Sequence, residues 1–326
     1  MVEPDTLKLV NPRQQKRAAT RVKTDLDELV ERVARVNPED GRIEPLAGLW
    51  FNRLSNPREI HSVARPCFCI IAQGSKEVFL GDERYQYDPA HYLLFTAELP
   101  VVSQALEASR ERPYLSLRLD LDAKLVGSVL AETRYPPASK QAEVRAMDVS
   151  VLTQDLLGAM LRLVRLAEHP RDAAFLAPLI KREIVYRLLI GEQGGRLRHI
   201  AVAEGNEHRI VKAIERLRRD FDRPIQMESL AQDLGMSVSS FYHHFKVVTA
   251  MSPLQFQKRL RLQEARRLML GGDFDAASAA FRVGYEDASH FSREYKRLFG
   301  QPPKRDVERL KDVVTERTER EVTLAT

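Results

Sequence analysis

Two clusters of polar residues near the C-terminal end of this chain are of the types and spacing that touch nucleic acid. Ser239, Tyr242, His243 and Lys246 fall at helical spacing, and Ser289, His290, Arg293 and Lys296 form a matching set fifty residues on. Short hydroxyls and imidazoles can hydrogen-bond base edges, an arginine can engage a guanine edge through two parallel bonds, and lysines suit phosphates. The pattern predicts base contacts from Ser239, Tyr242, His243, Ser289, His290 and Arg293, and phosphate contacts from Lys246 and Lys296. A second chemically capable group is the pair Cys67 and Cys69, the only cysteines in the chain. Residues two apart in a strand share a face. The two thiols are therefore either small fillers of a buried strand or a thiol sensor for electrophiles and oxidants.

Each polar set needs a helix to present it, and the sequence supplies one twice. Val238, Phe241, Phe245 and Val248 form the apolar face behind the first set; Ala288, Phe291, Tyr295 and Leu298 form it behind the second. A short helix precedes each, then a glycine (Gly235 or Gly284) and an N-capping residue (Ser237 or Asp287). That is the helix-turn-helix plan. Ala231 and Gly235 recur 49 residues on as Ala280 and Gly284, while Phe241 and Phe245 recur 50 on as Phe291 and Tyr295. The second turn is thus one residue longer. Both glycines are expected at positive φ, where a side chain is costly. Between the units, Ser252-Pro253 opens an uninterrupted helical stretch to Leu270, serine as N-cap and proline at the first helical position. Its 18 residues make a rod of about 27 Å, suited to holding two reading helices over successive major grooves about 34 Å apart. Charge follows the same map. Residues 206–305 carry 18 Lys+Arg against 12 Asp+Glu, a net +6, while the whole chain is +5. The basic end fits double-stranded DNA as partner.

The remaining residues read as a separate module. With 326 residues, 44% hydrophobic and 30% charged, the chain has the composition of a folded multidomain protein. No run approaches the roughly 20 apolar residues of a membrane span, and the N-terminus lacks a secretion pattern, so a cytoplasmic protein with no membrane partner is expected. Residues 1–24 read as a mobile basic arm. Residues 25–121 read as an antiparallel β-barrel with a helical preface, its strands at Leu49–Leu54, His61–Gln73, Lys76–Leu80, Arg84–Tyr87, His91–Thr96, Val101–Ala108 and Tyr114–Leu119. Residues 122–205 read as a helical connector, with one helix from Asp148 to Ala167 and another from Ala173 to Ile190. Residues 206–305 hold the double helix-turn-helix, and 306–326 a charged tail. The fold class is α+β: an N-terminal barrel, then an all-α domain. The apolar surface from Leu152 to Leu166 is wider than one core-facing stripe and argues for a homodimer, unless the barrel covers it within the chain. Catalysis is not expected. The strand region offers only His61 and His91 as imidazoles, Gly74-Ser75-Lys76 lacks the earlier glycine of a phosphate loop, and no nucleophile elbow occurs. No metal or other cofactor is expected. A barrel enzyme carrying a DNA-binding tail, and an architectural DNA binder without effector, are the rival readings.

The C-terminal part resembles the DNA-binding domain of the AraC family of bacterial transcription regulators. The resemblance rests on Leu230-Ala231, Gly235-Met236-Ser237, Phe241, Phe245, Ser252-Pro253, Arg261-Leu262, Ala265-Arg266, Ala280, Gly284-Tyr285, Phe291, Arg293 and Phe299-Gly300 with Pro302-Pro303. Where the family usually has an aromatic and an arginine after the prolines, this chain has Lys304-Arg305-Asp306-Val307. Pro66-Cys67, Gln73-Gly74-Ser75-Lys76, Tyr92-Leu93 and Leu99-Pro100 are similar to the cupin-type N-terminal domain of one subgroup. The resemblance implies a barrel that senses a small-molecule effector or dimerises, DNA reading by the matching helix positions, and RNA polymerase as a candidate partner.

Overall fold

The computed structural model describes residues 12–133, 145–201, 205–272 and 274–312. Helix α1 (Pro12–Val36) leads into strands β1 (Gly41–Leu46), β2 (Leu49–Leu54), β3 (Glu59–Ala64), β4 (Cys67–Gln73), β5 (Lys76–Leu80), β6 (Glu83–Tyr87), β7 (His91–Phe95), β8 (Leu99–Ala105) and β9 (Tyr114–Asp120). Helix α2 (Ala123–Glu132), strand β10 (Met147–Val151), helix α3 (Gln154–Arg165), helix α4 (Pro170–Ile190) and helix α5 (Gly194–Arg198) follow. The strands build two antiparallel sheets, one of six strands in the order β1-β2-β9-β4-β7-β10 and one of four in the order β3-β8-β5-β6.

The sheets face each other as an open sandwich, not a closed barrel. The stretch His61–Gln73, expected as one strand, breaks at Arg65-Pro66, and there the chain passes from the four-stranded to the six-stranded sheet. Proline cannot donate to a ladder, so the corner falls where the sequence has one. Strand β4 is buried on both faces: Phe68 and Ile70 pack toward the helices, Cys67 and Ile71 toward the other sheet. Helices α1, α2, α3 and α4 cover the outer face of the six-stranded sheet through Leu29, Val33, Val126, Met160, Leu163 and Ile184.

Several expectations are corrected. The arm is helical from Pro12 onward; its residues 1–11 lie outside the described residues. Met147–Val151 is a sixth strand of the larger sheet, paired with β7, where one long helix from Asp148 was expected; the connector therefore supplies part of the sandwich. Strand β1, rich in charge and carrying Pro45, was not anticipated. The broad apolar face of α3 is covered within the chain by α1 and α4, with Leu156, Leu157, Met160 and Leu163 at most 3% exposed.

The rest of the chain is helical: α6 (Gly205–Arg219), α7 (Met227–Asp233), α8 (Val238–Thr249), α9 (Pro253–Leu270), α10 (Ala276–Arg282), α11 (Ala288–Phe299) and α12 (303–312). Helix α12 runs through the boundary expected after Arg305, because Asp306 and Val307 are buried in the domain; residues 313–326 lie outside the described residues.

Candidate nucleic-acid interface and sandwich cavity

Helices α7 and α8 form one helix-turn-helix unit, α10 and α11 the other. Ser237 caps α8 by accepting the Ser240 N–H, and Asp287 caps α11 by accepting those of Ser289 and His290. A cap satisfies amides that the first turn of a helix leaves open. Gly235 and Gly284 make the turns at φ +65° and +88°. Their surroundings differ. A Cβ on Gly235 would meet open space, whereas one on Gly284 would collide with the Asp222 carbonyl. Between the units, α9 begins with a full capping box: Ser252 accepts the Gln255 N–H, and Gln255 accepts the Ser252 N–H in return.

On α8 the structure places Ser239, His243 and Lys246 at the surface, with Tyr242 half-buried and its ring edge-on to Phe241 at 5.9 Å. On α11 it places Ser289, His290, Arg293 and Lys296 at the surface. His290 packs against the Tyr285 ring at 5.7 Å and lies 3.8 Å from Glu294. Among the described residues Lys246, Arg293 and Lys296 make no ion pair, so their charge is open to an incoming anion. Behind these faces Phe241, Phe245 and Val248, and Phe291, Tyr295 and Phe299, are buried. Val238, expected to bury with them, is 40% exposed, because the first residue of α8 projects beyond the core.

Two arginines with no assigned role in the sequence reading brace this domain. Arg261 on α9 donates to the carbonyls of Phe221 (2.6 Å), Arg223 (3.0 Å) and Gly284 (2.9 Å), pinning the second turn to the spacer helix. Arg266 forms a bidentate pair with Asp306 at 2.7 and 3.0 Å, and the Tyr295 hydroxyl donates to the same carboxylate at 2.9 Å. Burial would raise the Asp306 pKa, but Arg266, Arg309 and Tyr295 together hold it below the usual range.

The domain docks on the sandwich. Arg145 donates to the Lys246 carbonyl at 2.6 Å and pairs with Glu83, the Ala146 N–H donates to the Val248 carbonyl at 3.0 Å, and Gln263 donates to the Ser62 carbonyl at 3.3 Å. The His61 ring stands edge-on to Phe299 at 4.7 Å.

Between the two sheets lies a cavity of about 320 Å³. Cys67 and Cys69 both line it, their sulfurs 3.6 Å apart, Cys67 buried and Cys69 half-buried. Burial pushes the Cys67 thiol up; the hydrogen bond from Cys67, with the nearby Lys76 and Arg118 charges, pulls Cys69 down. Among the described residues no group of three or more His, Cys, Asp or Glu side chains is placed to hold a metal ion, and no helix is long and apolar enough to cross a membrane.

A two-module protein with a double helix-turn-helix and a β-sandwich is the class this geometry defines. Residues 45–196 match the AraC-type transcriptional regulator N-terminus family, and residues 230–309 match a helix-turn-helix domain family. The HTH-type transcriptional activator RhaS of Salmonella paratyphi A is 28% identical over 166 residues, covering 50% of this chain and 58% of RhaS. The chain thus spans a little over half the length of the curated relatives it matches. Among solved structures, an apo ToxT variant from Vibrio cholerae superposes with a TM-score of 0.53 at 12% identity, over 80% of this chain and 97% of that one. ToxT bound to (E)-4-(8-methylnaphthalen-1-yl)but-3-enoic acid gives 0.52 at 12% identity, over 80% and 98%. That likeness is one of fold. The chain belongs to the AraC family of transcription regulators.

Proposed function

We propose that this chain is a sequence-specific DNA-binding transcription regulator whose sandwich takes a small-molecule effector. The observation that carries the reading is the repeated exposed, cation-tipped helix face, presented twice on one basic domain by capped helix-turn-helix units. In this reading Ser239, Tyr242, His243, Ser289, His290 and Arg293 meet base edges in successive major grooves, and Lys246 and Lys296 meet phosphates. The sandwich and its helices, residues 25–205, form the sensing module, 206–312 the reading module, and RNA polymerase is the downstream partner. The protein works in the cytoplasm and is not an enzyme. The cavity between the sheets supports an effector site, and ToxT, which shares the fold, is known bound to an organic acid.

Homodimerisation is the second part of the proposal, on a different surface from the one the sequence suggested. Helix α4 exposes Phe175 (74%), Leu179 (52%), Tyr186 (44%) and Ile190 (42%). At 100° per residue these four lie within about 60° of one another, a single apolar stripe that a second copy would cover.

Selection of full-length protein against a random DNA pool tests the reading. The expected product is a site with two segments about one helical turn apart, and doubled sites when the dimer binds. Enrichment of no sequence over bulk DNA would overturn it. Sedimentation of the Phe175→Ser, Leu179→Ser variant tests the dimer, with a shift to monomer expected.

A further inference from the structure

The cavity between the sheets has a one-sided charge. Arg42, Arg58, Lys76 and Arg118 line it, and no aspartate or glutamate does so among the described residues. Arg42 and Arg58 are exposed, at its solvent side, and Lys76 and Arg118 are drawn inside. Isolated ammonium groups are normally left in water or paired. Lys76 is half-buried and unpaired: among the described residues it makes no hydrogen bond or ion pair. The carboxylate next to it in sequence, Glu77, points to the opposite face of β5, as strand alternation requires, and is paired with Arg84. The Arg118 guanidinium reaches Asp120 at 2.7 Å, but Asp120 also accepts from the Trp50 indole at 2.9 Å, and the Arg118 Nε is buried with no partner. The rest of the wall is mixed: Leu93, Phe95 and Val101 give it apolar surface, and Asn52, Ser103, Ser116 and Tyr114 add polar groups.

We propose that this cavity binds a small organic carboxylate, with the Lys76 ammonium and the Arg118 guanidinium as its counter-charges and Leu93, Phe95 and Val101 against its body. The proposal deepens the effector reading above and rests on it. Size narrows the class. About 320 Å³ is at the small end of ligand pockets, which run from about 300 to 1,000 Å³. A short-chain or single-ring acid fits; a long acyl chain does not. Burial pushes the Lys76 pKa down, and an anion seated beside it would offset that cost. The cavity touches both sheets, and the four-stranded sheet carries Ser62, which contacts the DNA-reading module through Gln263. Ser62 itself lines the cavity, so an occupant sits against the strand that makes the interdomain contact.

The test uses the full chain with benzoate and hexanoate as probes, each against its neutral amide. Calorimetric titration is expected to show each acid binding at least about tenfold more tightly than its amide, the scale of a charge-assisted hydrogen bond. Lys76→Met should abolish that preference. Without ligand it should unfold at the same temperature as the parent or higher, since an unpaired ammonium is removed. Alkylation of Cys69 by iodoacetamide should slow when benzoate saturates the protein. Equal binding of acids and amides, a preference that survives Lys76→Met, or unchanged alkylation would each overturn the proposal. DNA selection on the ligand-free chain is read separately, so failure here and failure of the regulator reading are told apart.

Discussion

Phe245 of the first helix-turn-helix unit and Tyr295 of the second hold matching positions, yet they belong to different cores. Phe245 packs in a cluster that also contains Leu93, Phe95 and Val101 of the sandwich. Tyr295 packs in a cluster made only of residues from α9 onward, with Phe221 at its edge. The first unit is also held from outside by Arg145 and Ala146, which bond the last carbonyls of α8. The second closes on itself through Arg261, Arg266 and α12. One sequence plan has therefore produced a unit coupled to the sensing module and a unit that is self-supporting. A signal from the sandwich reaches the first through a shared core, and the second through α9 and the single ring contact of His61 with Phe299.

The self-supporting unit should fail hardest when its buried ion pair is cut. Asp306 is fully buried and Arg266 nearly so. Arg266→Ala leaves an uncompensated carboxylate, at a cost of about 3–5 kcal/mol. Denaturant unfolding should show that loss, and near-parent stability would mean that Tyr295 and Arg309 suffice. The sign with pH is fixed. Because the native Asp306 pKa is lowered, its contribution is complete above the unfolded value of about 3.9 and fades as pH falls below it toward the native value.

The two turns offer a matched pair at smaller scale. Gly235→Ala pays the left-handed backbone penalty alone, about 1–2 kcal/mol. Gly284→Ala adds displacement of the Asp222 carbonyl and of Arg261, a further 1–3 kcal/mol or so. Thermal unfolding of both variants measures the difference. Equal losses would remove the distinction between an open first turn and a packed second one.

Why the sequence showed one half of the molecule so much better than the other is itself physical. Helix ends in the reading module are marked locally, by Ser252-Pro253, Asp287 and the two turn glycines, and such signals act within four residues. The strands β2 and β5 also stand where alternation puts them. Strands β1 and β10 were not legible, because β1 is polar with a proline inside it, and β10 merges into the apolar run of α3. Their pairing with β2 and β7 is a tertiary fact. Asp306 looked like the start of a charged tail. Only Arg266, 40 residues away, makes its burial tolerable. Lys76 could have been found: Lys76, Val78 and Leu80 alternate in β5, so a cation shares the inward face with two apolar residues. Among the reading residues, exposure of Ser239 and Arg293 follows from helical spacing, whereas the half-burial of Tyr242 depends on Phe241 and its neighbours.

Arg293→Ala compares the units at the level of binding. The variant should lose about 1–3 kcal/mol on the selected site and relax base preference in one segment only. Base-substitution scanning of both segments measures this. An equal loss on every sequence would make Arg293 a phosphate contact and leave the second unit without its strongest reader.

The smallest effect is the most discriminating. Lys246 and Lys296 are both exposed and make no ion pair among the described residues, so each removes one phosphate contact when replaced by alanine. A single contact changes the slope of log K against log salt by about 1 and weakens all sequences alike. If both units lie on DNA together, Lys246→Ala and Lys296→Ala should lower the slope equally, and the double variant by twice as much. The docking of α8 on the sandwich offers a different outcome. A first unit held away from the duplex would leave the slope of Lys246→Ala at the parent value, while Lys296→Ala still lowers it. Repeating the pair with Arg145→Ala, which cuts the bonds to the end of α8, should then restore the Lys246 effect. A Lys246 slope that stays at the parent value even in that background would mean the first unit does not touch phosphates at all.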